Sequence, residues 1–205
     1  MTKIKNFRIT LRPRDMARWL KANERLEITP ALESSIEQAV KESKLLIQPA
    51  ALYTTLARAT ADRTTSLPLG SKAVAVSIMA ITIGPALATE RAKAEKGPDT
   101  LQASLLRAAE QEALSQSSQF IVRLLQEQAK EEECDTGLIV VISEPLLVPA
   151  FSQLLGIQRI GLTVDPAAPA LPSYARLAWM EWTPIAKRSS KRSEAPSRPE
   201  KTAVS

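Results

Sequence analysis

The chain has 205 residues, of which 44% are hydrophobic, 24% charged and only 4% aromatic, so it can supply a sizeable core built mostly from aliphatic side chains and Ala. It has no His and one Cys, Cys134, which excludes His-based nucleophiles and general bases, His-ligated zinc, thiolate-clustered metals and an intramolecular disulfide. The net charge of +5 divides unevenly: residues 1–25 carry eight Lys/Arg and two acids, residues 187–205 carry six and two, and 26–186 is left with a net of −5, a pattern that argues against a uniformly basic nucleic-acid-binding domain.

Residues 7–11 (FRITL) read as a short strand ended by Arg12-Pro13. A helix opens at Arg14-Asp15, with Met16, Trp19 and Leu20 at helical spacing. Thr29 as N-cap, Pro30 at the first helical position and Glu33 in the first turn predict a helix over 30–45. Leu32, Ile36 and Ala39 or Val40 share one of its faces, and Pro49 bars its continuation. Residues 50–60 stay open between strand and helix: Tyr53-Thr54-Thr55 favour the first, the Ala residues the second. Pro68 and Gly70 mark a loop over 66–71.

Residues 73–89 carry no charge and sit at the short limit of the roughly 20 residues a membrane-spanning helix needs. Gly84-Pro85 would break such a helix, and Val and Ile crowd its first half. A buried strand over 74–83 is expected, and no membrane span. Pro85 then starts a helix over 85–95, and Asp99 caps the next one after the 97–99 turn. Residues 100–133 hold the strongest helical signal, with Leu101, Leu105, Ala109, Ala113, Phe120, Leu124 and Gln128 at helical steps. A bend is expected near 115–118, and fraying at the three Glu residues 131–133, which oppose the negative end of the helix dipole.

Gly137 stops that helix, and 138–143 (LIVVIS) read as a second buried strand. A short helix over 150–155, a third strand over 160–164 and a Pro/Ala loop over 165–172 follow. Residues 174–182 (YARLAWMEW) alternate with one mixed face, which reads as a half-exposed edge strand. Segregated strands and helices predict an α+β domain over 1–185, with a mostly antiparallel or mixed sheet, packed helices and one long helix around 100–133. Residues 186–205, rich in charge, Ser and Pro, are expected to be a basic disordered tail.

Chemistry-bearing motifs are scarce. Neither GxGxxG nor GxxxxGK[ST] occurs, so no phosphate loop is supported. The carboxylates Glu110 and Glu112 read as a solvated helix face. Three Glu residues before Cys134 and Asp135 after it disfavour its thiolate. No catalytic side chain and no metal site is assigned, and whether the chain is an enzyme stays open. The single Cys and a charged, polar start without a secretory signal point to the cytoplasm.

Thr82-Ile83-Gly84-Pro85, after a hydrophobic strand and before Ala86-Leu87, resembles a signature of the activation-domain family of vitamin B12-dependent methionine synthase, in its short stand-alone bacterial form. That family shows a strand ending T-I-G-P-x-L. The flanks agree in order. Met16-Ala17-Arg18-Trp19-Leu20 is similar to its V-L-R-x-L-G, and 46–53 (LIQPAALY) to its L-x-x-P-x-A-x-Y turn. Ile160-Gly161-Leu162-Thr163 and Pro172-Ser173 resemble its closing segments. The resemblance spans roughly residues 5–182.

It implies an accessory protein of cobalamin-dependent methyl transfer that binds S-adenosylmethionine. Such a protein docks on the corrinoid-binding module of the synthase, so cobalamin is met only through that partner. Arg18, Thr82, Gly84, Pro85 and Pro145 are the cofactor-binding candidates that the resemblance implies. Two stretches depart from the pattern. The family's R-x-S-P-G-Y, which helps hold S-adenosylmethionine, is replaced by 142–147 (ISEPLL), and its L-D-A-x-G-S by 106–111 (LRAAEQ). Lys21 stands where a Gly is usual. The alternative is therefore a partner-binding member of the same fold that no longer holds S-adenosylmethionine. If 142–147 is packing, Leu146 and Leu147 should fill the pocket; if it is a ligand loop, polar groups should face it.

Overall fold

The computed structural model describes residues 1–165, 167 and 169–186. The expected basic tail lies outside them from residue 187 onward. In chain order the elements are β1 (Thr2–Lys5), α1 (Pro13–Asn23), α2 (Pro30–Ser43), β2 (Ala50–Ala57), α3 (Arg58–Thr64), β3 (Ala75–Thr82), α4 (Ala86–Ala94), α5 (Thr100–Glu131), β4 (Cys134–Thr136), β5 (Val140–Val141), α6 (Leu147–Leu155) and β6 (Ala175–Pro184). A 3-10 turn, Ile157–Ile160, follows α6. The six strands make one sheet in the order β1-β2-β3-β6-β4, with β5 also on β6. Every pair is antiparallel. The class is α+β, as expected.

Local chemistry sets several boundaries. Thr29 Oγ1 accepts from the Leu32 N–H at 3.3 Å, and Asp99 Oδ1 from the Gln102 N–H at 2.9 Å, so both expected caps are in place. Gly156 closes α6 in the left-handed region at φ 57°. The ambiguous 50–60 stretch resolves into β2 followed by α3. The uncharged 73–89 segment is a strand and a helix start, and among the described residues no helix is long and apolar enough to cross a membrane.

Several expectations are corrected. The first strand is Thr2–Lys5, not 7–11. Asn6 turns the chain at φ 55° and gives its N–H to the Pro49 carbonyl at 2.8 Å, ending the ladder. The apolar residues of 7–11 then pack on helices: the Phe7 ring stacks on Phe120 with centroids 4.6 Å apart, and Ile9 and Leu11 join the helical core. The strand expected over 160–164 is instead the end of the 3-10 turn and Gly161 at φ 76°; its Ile160 and Leu162 are buried without a ladder. The 174–182 segment is interior rather than an edge. β6 has β3 on one side and β4 and β5 on the other, which buries Trp179, Met180 and Trp182. The true edge is the 138–143 segment. Only Val140–Val141 pair, and Leu138 is 88% exposed.

The sheet is covered on both faces. Leu52, Ile78, Ala80, Leu177 and Trp179 face α6 and the 3-10 turn. Ala51, Tyr53, Met79, Ile81, Ala178 and Met180 face the second half of α5 through Ile121, Leu125 and Ala129. The first half of α5 enters a separate helical core with α1, α2 and α4. This helix runs unbroken through 115–118, over about 48 Å at 1.5 Å per residue.

Because its middle is packed on more than one side, Glu110 and Glu112 are buried, against the expectation of a solvated face. Burial pushes the Glu112 carboxyl up from its ordinary value. The Gln116 amide, 2.8 Å from Oε1, pulls it down, nearby Asp15 adds to the rise, and Arg12 opposes it. A raised folded-state value means that stability falls as pH climbs through it. Glu112→Gln is therefore expected to raise the melting temperature at neutral pH, with the gain fading as the medium is acidified; melting curves across pH check it. Leu125→Ala, at a fully buried site on the seam between α5 and the sheet, is expected to cost about 2–5 kcal/mol in urea unfolding.

Candidate functional site

The turn after β3 is tied down from three sides. The Ile83 N–H donates to the Tyr174 carbonyl at 3.1 Å, and the Gln48 N–H donates to the Ile83 carbonyl at 2.8 Å. The buried Thr82 hydroxyl donates to the same Tyr174 carbonyl at 3.2 Å and accepts from the Gly84 N–H at 3.1 Å. Gly84 sits at φ 79°, and a Cβ there would lie 3.3 Å from Gln48 Cβ. Glycine is needed on both counts. Pro85 then caps α4, accepting at its carbonyl from the Thr89 N–H. The outcome is a fixed position for Tyr174 at the entrance to β6.

Next to that entrance lies a cleft of about 330 Å³, within the range of roughly 300–1,000 Å³ typical of small-molecule sites. Its walls come from the middle of α5 (Gln111, Leu114), from 141–145 and the start of α6, and from 169–177. Gln111, Ser143, Ser173 and Arg176 bring polar groups to it. Ser173 and Arg176 flank the tethered Tyr174, so the turn at 82–85 positions this wall without lining it.

Arg176 stands on β6 opposite Ile81 of β3, on the sheet face that meets α5. Its Nη1 donates to Ser118 Oγ at 3.2 Å, and that hydroxyl donates onward to the Leu114 carbonyl at 2.7 Å. Burial pushes the guanidinium value down, because the charge is partly stripped of water. Among the described residues no carboxylate lies within ion-pair distance of it.

A chain of ion pairs borders the cleft. Arg91 of α4 pairs with the buried Glu110 at 3.0 Å and with Glu95 at 2.7 Å, and its Nη2 reaches Ser173 Oγ at 3.1 Å. Arg107 extends the chain from Glu95 at 2.9 Å to Glu24 at 3.0 Å. Burial works against the Arg91 charge, and the hydrogen bonds to Glu95 and Glu110 outweigh it. One end of this network thereby holds a cleft residue, Ser173.

Of the residues singled out in the sequence, Pro145 lines the cleft. Thr82, Gly84 and Pro85 lie together behind it. Arg18 is on the exposed side of α1, paired with Asp15 at 3.1 Å and outside the cleft lining. The 142–147 stretch does not plug the space: Ile142 is packed under the sheet, Leu146 is 89% exposed, and Leu147 packs only partly on the core. Arg176, Gln111 and Ser173 were not among the ligand-binding candidates. The available signal was Arg176 itself, a charge on the strand face that otherwise carries Ala178, Met180 and Trp182.

No family model and no curated protein matches the sequence. A solved structure described as the MetH reactivation domain bound to AdoHcy matches with a TM-score of 0.56 at 10% identity, covering 91% of this chain and 79% of that one. The two share a fold. At that identity the likeness shows the architecture alone: an antiparallel sheet with packed helices, here with the cleft at the entrance to β6. Replacing Gly84 by Ala is expected to lower stability by about 1–3 kcal/mol through left-handed strain and the Gln48 contact. Denaturant unfolding measures it, and the accompanying loosening of Tyr174 should appear as faster amide exchange at Ile83.

Proposed function

We propose that the chain binds S-adenosylmethionine in the cleft between α5 and the entrance of β6, and that it serves as an accessory of cobalamin-dependent methionine synthesis. The observation that carries this reading is the open, polar-walled cleft beside 142–147, where the family resemblance places its ligand stretch. The loss of that stretch's Arg, Gly and Tyr has not closed the space. The matched fold is that of a domain described as bound to AdoHcy, the demethylated form of the same compound.

The residues fit such a ligand. Leu114, Val141 and Leu171 offer apolar wall for a ring system, and Gln111, Ser143 and Ser173 offer donors and acceptors at its rim. When bound, S-adenosylmethionine supplies an electrophilic methyl group, and a corrinoid on a partner module is its acceptor. This chain then needs no acid or base of its own, which suits a sequence without His. Its part is to hold and orient the donor. Pro145 borders the ligand; Thr82 and Gly84 hold the wall through Tyr174; Pro85 begins the helix whose Arg91 fixes Ser173. Arg18 takes no ligand contact in this arrangement. A corrinoid-binding module is the protein partner, and the cytoplasm is the compartment in which both would meet.

Calorimetric titration of S-adenosylmethionine into the purified chain is expected to give saturable binding at roughly micromolar concentration, with stabilisation near 2.7 kcal/mol at a hundredfold excess over Kd. Absence of heat and of any melting shift at millimolar ligand would sink the proposal. The fold would then stand as a partner-binding relative, and co-purification with a cobalamin-loaded module would be the remaining support.

A further inference from the structure

We infer that Arg176 is the anion anchor of the cleft and that it receives the carboxylate of the bound ligand. The inference rests on the S-adenosylmethionine reading above and adds to it the residue that recognises the amino-acid end. A half-buried guanidinium has five N–H donors in a planar fork. Among the described residues Arg176 makes one hydrogen bond, Nη1 to Ser118 Oγ. That hydroxyl is neutral and already committed to the Leu114 carbonyl, so it positions the group without balancing its charge. Two other arginines packed between elements, Arg91 and Arg107, each meet two carboxylates. Arg176 meets none among the described residues and faces a cavity of about 330 Å³ instead.

A partly desolvated cation without a counter-charge is stabilised when an anion binds beside it. A carboxylate is the anion whose two oxygens match the guanidinium fork. The ligand's ammonium group would lie beside that carboxylate, where Gln111, Ser143 and Ser173 supply neutral acceptors. The anchor is thus delivered from β6, while the position in 142–147 where the family carries an Arg holds Ile142. Arg176 lies on a strand fixed on both sides, so its fork is held rather than recruited from a loop.

The test uses two probes, S-adenosylhomocysteine and its analogue with the carboxylate replaced by hydrogen. Each is titrated into the full-length protein, wild type and Arg176→Met, with melting curves to check folding. The expected result is that Arg176→Met weakens S-adenosylhomocysteine by roughly 10- to 100-fold, the loss typical of a hydrogen bond to a charged group, and leaves the analogue unchanged. Arg176→Lys, which keeps the charge but loses the fork, should fall between. Should Arg176→Met fail to fold, wild-type discrimination between the two probes still decides: equal affinity overturns the assignment. Equal weakening of both probes by Arg176→Met also overturns it, because the residue would then only shape the cleft. Undiminished S-adenosylhomocysteine binding by Arg176→Met removes the anchor and leaves the proposed function intact. No binding by the wild type removes both.

Discussion

One helix has to satisfy two cores at once. α5 spends its first half among α1, α2 and α4 and its second half under the sheet. At the changeover the helix has neighbours on several sides, so its polar residues there cannot turn to water. Glu110, Glu112, Gln116, Ser117 and Ser118 are all buried. An unpaired buried polar group costs about 1–3 kcal/mol, and all but Ser117, whose hydroxyl has no hydrogen-bond partner among the described residues, are paired. The partners come from other elements or the next helical turn: Arg91 from α4 for Glu110, Gln116 for Glu112, Arg176 from β6 for Ser118. The polar seam that results is where the two cores fail to merge, and the cleft opens in it.

The seam makes sense of the turn at 82–85. Its four residues look like a ligand motif when read as letters. In space the Thr82 hydroxyl satisfies the Gly84 N–H and the Tyr174 carbonyl, and Ile83 bridges Gln48 and Tyr174. The turn converts the end of β3 into a fixed start for both α4 and β6. Those are the elements that carry Arg91 and Arg176. A motif can therefore matter to a site it does not line, through backbone hydrogen bonds that set where neighbouring side chains begin.

Legibility followed the range of the interactions. Helices announced by local chemistry were plain: Thr29-Pro30 and Asp99 act within three residues of themselves, and α2 and α5 start where they say. The class and the β3 strand were equally plain, since Val76, Ile78, Ala80 and their neighbours form a run too apolar for a surface. What failed depended on distant partners. Whether 7–11 or Thr2–Lys5 pairs with β2 is decided by Asn6 and Pro49, far apart in sequence. Both 138–143 and 160–164 are apolar, yet one is an edge and the other a turn, because ladder pairing requires a free neighbour and β6 has only two sides. The buried Glu pair was unreadable for the same reason: its burial is a property of α4 and α1, not of α5. Of the residues lining the cleft, Pro145 was among the sequence candidates and Arg176 was not.

The departure of 142–147 from the pattern of the family it resembles looks like loss when positions are compared along the chain. Recognition of an anion depends instead on where a guanidinium stands and what else it can pair with. β5 and β6 are adjacent strands, with Ile142 donating its N–H to Leu177 at 2.9 Å. Ile142 therefore stands opposite Leu177 and packs with it on the α6 face, whereas Arg176, one position back along β6, belongs to the face that meets α5. The two side chains leave the sheet in opposite directions, and the cleft at the end of the strands is lined by both. A cation on Arg176 is thus no substitute side chain at position 142: it reaches the cleft from the other face, and positions compared along the chain do not show it.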